Sequence, residues 1–384
     1  MKIPFQSPNI PKNFEKIFSE SVCSGWLTTG SQVNEFEKKI AEYLGVRHII
    51  AVNSCTAALH LALAAKGFGM GQKFIIPTLT FASTIECGEY LGMEPILLDS
   101  SKNGFLMDLN QIEDIVRNDN SIKAIVPVHY AGESVNLHSI MEIANNFNLF
   151  VLQDAAHAFE TEFNGNKIGN TNHAAAFSFY ANKNLTTGGE GGALATNDSN
   201  LARRVKKLSL HGITKDGWNR FKTNGNWEYD IVEMGYKYNL TDYAACFGLW
   251  QMGQIDRWQK RRTEIVSKYN QGLSDIDSII LPNILEGHAK HLFVIRLDLD
   301  RWSISRNSFI EKMNERGVGL AVHYKPIHQL SYYKKKYDFN YNNFGVANSL
   351  YKSIVSLPIY PNLSNKSLDY IIENIKDLHN TYSK

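Results

Sequence analysis

The chain has 384 residues, 43% hydrophobic and 20% charged, with a formal charge of +2 and a pI near 8.2. That is enough length for a large domain and a smaller one, and nothing in the composition suggests disorder, a polybasic tail or a nucleic-acid surface. Four scattered cysteines (Cys23, Cys55, Cys87, Cys246) without a CxxC pair exclude a disulfide scaffold. The amino-terminal stretch MKIPFQSPNIPKNF has no apolar h-region and there is no apolar run of the roughly 18 residues a membrane span needs, so a soluble cytoplasmic protein with reduced thiols is expected.

From residue 48, short apolar runs alternate with segments of helical period: HIIAV (48–52), TAALHLALAAKG (56–67), FIIP (74–77), a stretch to Gly92, PILLD (95–99), DLNQIEDIV (108–116), KAIVPVH (123–129), LHSIMEIANNF (137–147) and LFVLQD (149–154). The alternation predicts an α/β fold with a mostly parallel sheet flanked by helices, its strands apolar on both faces. AAAFSFY (174–180) and GGALAT (191–196) are joined by a loop without a helix, which predicts a hairpin or an antiparallel neighbour. A long amphipathic stretch, GLWQMGQIDRWQKRRTEIVSKYNQGL (248–273), leads out of a large domain over 1–250 into a small α+β domain over 251–384. The small domain reads as strand LFVIRLD (292–298), helix RNSFIEKMNERG (306–317), strand GLAVHY (319–324) and two terminal helices, with YKKKYDFNYNN (333–343) as a polar surface loop.

Ligands of such sheets gather beyond the carboxyl ends of the strands. HIIAV runs into NSCTAAL, where small residues open a helix whose free N–H groups suit a phosphate. Thr56 would add a hydroxyl and Ala57 would leave the approach clear, while the same letters also read as an ordinary Ser/Thr helix cap. FIIP leads to TLTFAST, which presents Phe81 either for stacking on a planar heterocycle or for core packing. LFVLQD ends an apolar run in Asp154, which either pairs with a cation such as a protonated pyridine nitrogen or caps the following loop. FSFYANK supplies Ser178 and Lys183, and the lysine is either solvated loop charge or an ε-amine that condenses with an aldehyde and then shuttles protons. A phosphate cup, a stacking ring, a carboxylate for a pyridinium and a lysine for an aldehyde are together what pyridoxal 5'-phosphate requires. A nicotinamide-binding fold lacks support, because no GxGxxG follows the first strand, and no HExxH or similar spacing suggests a metal.

With GWLTTG (25–30), NSCTAALHLAL (53–63), PTLTFAST (77–84), PVHYAG (127–132), QDAAHA (153–158), FSFYANKNLTTGGEGG (177–192), HGI (211–213), GYKYNLTD (235–242) and AVHYKPIH (321–328), the chain resembles the DegT/DnrJ/StrS sugar aminotransferases, pyridoxal-phosphate enzymes of the aspartate aminotransferase fold. The resemblance implies that Lys183 holds the cofactor as an imine and moves the protons, that Asp154 pairs with the pyridine nitrogen, and that His157 lies beside the ring hydroxyl. It also implies that Phe81 stacks on the ring and that Thr56, Ala57 and Ser178 bind the phosphate. Asn239 would reach the phosphate of the neighbouring subunit's cofactor, so a homodimer is expected. Thr28, Thr29, His323 and His328 would lie near the substrate; by themselves they also read as a turn and a packed domain junction.

The implied reaction passes the amino group of L-glutamate to a nucleotide-linked keto sugar, in amino-sugar and lipopolysaccharide assembly, and the segments look most like the branch that aminates carbon 4 of 4-keto-6-deoxyhexoses. Carbon-3 amination and a cofactor-binding sensor without turnover are the alternatives, and a sugar dehydratase is disfavoured because it carries a histidine where this chain has Lys183. Three positions depart from the family pattern: Gln153 in place of a Glu, His173 in place of an Asp, and one extra glycine in LTTGGEGG.

Overall fold

The structure is a computed structural model that describes residues 1–23, 25–102, 104–213 and 229–384. Twelve strands occur among the described residues: β1 (His48–Val52), β2 (Lys73–Pro77), β3 (Glu94–Leu98), β4 (Ile122–Ile125), β5 (Phe150–Asp154), β6 (Glu162–Phe163), β7 (Asn166–Lys167), β8 (Ala174–Ser178), β9 (Gly192–Thr196), β10 (Ile279–Ile280), β11 (Phe293–Leu297) and β12 (Ile354–Leu357). Seven of them form one sheet in the order β1-β9-β8-β5-β4-β2-β3, parallel from β8 through β3, with β9 antiparallel to both its neighbours. The expected mostly parallel sheet and the antiparallel pairing near residue 192 are therefore both present.

Side chains alternate across a strand, and here both alternating sets are apolar. Ile50, Val52, Ala174 and Ala176 pack with the helix Cys55–Lys66 on one face, while Ile49, Ala51, Ala175 and Phe177 pack with the helix Ser31–Leu44 on the other. Farther along that second face, Ile75, Ile125 and Val151 meet the helix Leu137–Phe147. Burial on both faces explains why these strands read as unbroken apolar runs.

A three-stranded antiparallel sheet, β10-β11-β12, carries a separate core with the helices Ile255–Leu273, Arg306–Glu315 and Asn365–Tyr382. Ile3 belongs to this core, and its backbone bonds to Gly317 and Gly319. In the other direction, Ile327, Tyr333 and Phe344 join the first core. No helix among the described residues is long and apolar enough to cross a membrane.

Several local expectations are corrected. GLAVHY is not a strand: only Ala321 pairs, in an isolated bridge to Ser356, and Pro326 follows closely. The strand beside β11 is instead β12, IVSL, which directly follows the helix Gly345–Ser353 and is too short to show an alternation. The stretch 248–273 is broken at Gly253–Gln254 into two helices, consistent with glycine's low helix propensity. YKKKYDFNYNN is more than a polar loop, because Tyr333 and Phe344 are buried and Tyr337 donates to Glu89. The small hairpin β6–β7 turns on Asn164-Gly165, both with positive φ, the residue pair such a turn favours.

Candidate active site

The carboxyl ends of β1, β2, β5 and β8 open on one cleft of about 430 Å³. Gly192 pairs with both Val52 and Ser178, which brings the β1 loop alongside β8. A Cβ at Gly192 would stand 2.4 Å from the Ser54 carbonyl carbon, so only glycine lets these segments approach so closely. Thr56, Phe81, Asp154, His157, Ser178, Lys183 and His323 all line the cleft.

Asp154 ends β5 and is 3% exposed. Its Oδ2 accepts a hydrogen bond from Thr84 Oγ1 (2.7 Å) and its Oδ1 accepts one from the Ala156 backbone N–H (3.1 Å). One oxygen thus makes the local loop cap and the other faces a neighbouring element. Burial raises the carboxyl's pKa, opposed by these two bonds and by the charge of Lys183, and among the described residues no cation forms an ion pair with it.

Lys183 lies in the loop between β8 and β9, held by its backbone N–H on Tyr180 (3.0 Å). Burial lowers its ammonium to about 8 against the pull of Cys55 and Asp154. A carboxylate and an amine therefore share one desolvated cleft without neutralising each other directly. Phe81 is 60% exposed although it borders the cleft, which sets aside core packing and leaves its ring available as a platform.

The helix Cys55–Lys66 points its N-terminus at the cleft, capped by Ser54, whose Oγ accepts from the Ala57 N–H (3.1 Å). Ala57 is therefore corrected: its N–H is taken and it does not line the cleft, so the donors left for an anion are the backbone N–H groups of Cys55 and Thr56. The Ser178 side chain, 9% exposed, adds a hydroxyl.

The histidines are held neutral. His157 accepts the Ala131 N–H at Nδ1 (3.2 Å), so its proton resides on Nε2 and points at the Tyr324 hydroxyl (2.9 Å). Burial and the nearby Lys183 charge keep it well below the ordinary histidine range. His323 bonds Ser356 Oγ through Nδ1 (2.8 Å), and burial lowers it to about 4. Tyr324 and Thr84 were not singled out as site residues, although both lie inside quoted motifs, AVHYKPIH and PTLTFAST.

Besides Ala57, four expected residues lie outside this cleft. Asn239 donates to Thr29 Oγ1 (2.7 Å) and accepts from Lys237, forming a cluster with Thr28 and Thr29 that does not border the cleft of its own chain. His328 is corrected to a packed junction: it is 3% exposed, its Nδ1 is 2.7 Å from Thr78 Oγ1, its Nε2 is 2.8 Å from Asn348 Oδ1, and its ring stacks on Phe344. His328→Leu is expected to lower stability by about 1–3 kcal/mol through lost buried hydrogen bonds while leaving the KM for substrate unchanged, read by urea unfolding and steady-state kinetics.

The departures from the family pattern are accommodated. Gln153 accepts from His129 Nε2 (3.0 Å), whose Nδ1 accepts the Val135 N–H (3.2 Å), a neutral pair with one consistent tautomer. His173 Nδ1 accepts the Val151 N–H (3.1 Å), a task an Asp oxygen could also perform. In the glycine loop, Gly188 has φ +96°, and a Cβ at Gly189 would meet open space. No group of three metal-ligating side chains occurs among the described residues.

Residues 8–376 match the model of the DegT/DnrJ/EryC1/StrS aminotransferase family. The chain is 41% identical over 379 residues to the spore coat polysaccharide biosynthesis protein SpsC of Bacillus subtilis, spanning 98% of this chain and 97% of that one. Among solved structures, Spr1654 of Streptococcus pneumoniae, named as a sugar aminotransferase, superposes in its PMP form with a TM-score of 0.91 at 30% identity over 99% of this chain and 100% of that one. Its PLP form gives 0.90 at 29% identity, covering 99% of each. PseC of Helicobacter pylori, an aminotransferase involved in the biosynthesis of pseudoaminic acid, gives 0.90 at 26% identity, over 99% and 100%.

Proposed function

The chain belongs to the DegT/DnrJ/EryC1/StrS aminotransferase family, whose cofactor is pyridoxal 5'-phosphate, and from that premise we propose that it is a sugar aminotransferase. In this reading it moves the amino group of L-glutamate to carbon 4 of a nucleotide-linked 4-keto-6-deoxyhexose, for amino-sugar and surface-polysaccharide assembly. The observation that carries the reading is the buried Asp154 and the half-buried Lys183 in one cleft with the exposed ring of Phe81, neither ionisable group having an ion-pair partner among the described residues. A carboxylate desolvated in this way is costly unless a cation joins it, and a protonated pyridine nitrogen is such a cation.

When bound, the cofactor supplies an aldehyde that carries the amino group and a ring that withdraws electrons from the adjacent carbon. Asp154, aimed by Thr84 and Ala156, would keep a proton on the ring nitrogen. Lys183 Nζ would hold the aldehyde carbon and, once released, carry a proton from one carbon to the other. The Cys55 and Thr56 N–H groups, the Thr56 and Ser178 hydroxyls and the positive end of the helix Cys55–Lys66 would hold the phosphate. Phe81 would cover one ring face, and His157 would present its neutral ring on the hydroxyl side.

His323 faces the space left for substrate. Asn239, with Thr28 and Thr29, would act in the cleft of a second copy. The apolar side chains of Ile231, Val232 and Met234, 56%, 52% and 83% exposed near that cluster in sequence, suit a homodimer contact.

The SpsC likeness favours polysaccharide assembly, and the resemblance of the GYKYNLTD segment favours a 4-keto sugar. The test is a panel of UDP-, dTDP- and GDP-linked keto sugars with glutamate, products identified by NMR. A new amine on carbon 4 is expected; amination at carbon 3, or no turnover with any sugar, overturns the reading.

A further inference from the structure

Among the cleft residues with no part in the scheme above is a buried histidine. His291 precedes β11, is 2% exposed, borders the cleft and lays its ring against His157, with centroids 4.5 Å apart. Its Nδ1 is 3.0 Å from Asn184 Oδ1. The amide nitrogen of Asn184, the neighbour of Lys183, donates to two acceptors, the Glu160 carboxylate and the Ala289 carbonyl (2.9 Å). Turning that amide over would set its oxygen against two other oxygens, so its orientation is fixed and Oδ1 can only accept.

The proton of His291 therefore sits on Nδ1, and a neutral ring protonated there carries a lone pair on Nε2, an atom with no hydrogen bond among the described residues. The charged or titratable groups around the ring, His157, Lys183, Arg262 and His323, all oppose a second proton, and burial acts the same way. Glu160 is in turn surrounded by the charges of Arg262, Lys167 and Lys290, which favour its ionised, accepting form against burial.

We propose that Glu160 and Asn184 are positioning residues that hold His291 as the Nδ1–H tautomer, so that its Nε2 accepts a hydrogen bond from a hydroxyl group of the sugar substrate. The inference rests on the sugar reading of the preceding subsection and adds the chemistry of one contact. A lone pair repels the carboxylates of an amino-acid donor and attracts an O–H group, so it discriminates between the two substrates that share the cleft. Asp154, Glu190 and the Cys55 thiol aside, the ionisable lining of the cleft consists of Lys183 with the neutral histidines 157, 291 and 323 and the phenols of Tyr180 and Tyr324, a surface suited to hydroxyl groups.

The experiment has two arms. Holoenzyme with ring-labelled ¹⁵N-histidine, studied at about pH 8 so that Glu160, which burial raises to about 7, is ionised, is expected to show His291 with a protonated Nδ1 and a bare Nε2. Glu160→Gln should keep those shifts, because its amide oxygen accepts the same N–H, and Asn184→Leu should lose them. A His291 protonated on Nε2, or on both nitrogens, in the wild type overturns the relay.

In the second arm the two half-reactions are followed separately in single turnovers. His291→Phe should weaken keto-sugar binding about tenfold, the order expected for one neutral hydrogen bond, and impair the glutamate half-reaction less. Equal losses in both halves, or no loss in either, overturn the assignment. Failure of the wild type to aminate any keto sugar overturns the sugar reading instead, and is told apart by normal nitrogen shifts at His291.

Discussion

Lys183→Ala is expected to reduce turnover by at least about 10³–10⁴-fold, the worth of a positioned proton-transfer group alone. No other cleft residue replaces it: the remaining nitrogen bases are histidines held neutral, and none is a primary amine able to bond an aldehyde carbon. Borohydride, which reduces a carbon–nitrogen double bond, should add the cofactor's mass to the wild type and leave the variant's intact mass unchanged. An equal gain in both proteins removes Lys183 from the mechanism. The lowered amine adds a pH signature: only the neutral amine attacks an aldehyde, so capture of pyridoxal phosphate by the apoprotein should rise with pH and level off above about 8, whereas an ordinary lysine would keep gaining toward about 10.4.

Asp154→Asn should leave the cofactor bound, because the groups proposed to hold the phosphate, at Cys55, Thr56 and Ser178, lie on other loops, but slow the half-reaction with glutamate by about 10²–10³-fold or more, the scale on which one preorganised electrostatic partner acts. The proposed role of Asp154 is to keep a proton on the ring nitrogen, and a ring without that proton would withdraw electrons poorly. A wild-type rate would show that the aspartate is not required. The cofactor-free protein should respond the other way. The folded state raises the pKa of Asp154, so it binds the carboxyl proton more tightly than the unfolded chain does, and stability falls as pH rises through that range. The Asn variant lacks this penalty, so its apoprotein should have the higher Tm at neutral pH, as expected where a site is built for a ligand's charge.

Much of this was legible in the chain itself, for a definite reason. Strands buried on both faces appear as apolar runs, so β1, β2, β3 and β5 could be read directly, and the polar letters at their carboxyl ends, Asp154 and Ser178 among them, stand out against them. What the letters conceal is which polar atoms are already engaged. Ala57 and Thr56 are equivalent on paper until Ser54 claims the Ala57 N–H. His323 and His328 sit in one motif, yet one borders the cleft and the other has both ring nitrogens satisfied within the fold. His291 has no signal in the letters because its significance depends on Asn184 and Glu160, 107 and 131 positions away in the chain, which no local pattern connects. β12 was lost because four residues emerging from a helix carry too little periodicity.

The placement of Ile3 in the second core has a consequence for how the chain matures. Its partners begin at Ile265 and continue to Leu378, so on a ribosome adding about 5–20 residues per second the leading segment waits on the order of 10–60 s before the surface it belongs to has emerged. During that interval the sheet that carries Lys183 can assemble, but the amino-terminal strap cannot dock. The segment around Ile3 is fastened by residues translated much later, Gly317 and Gly319 among them.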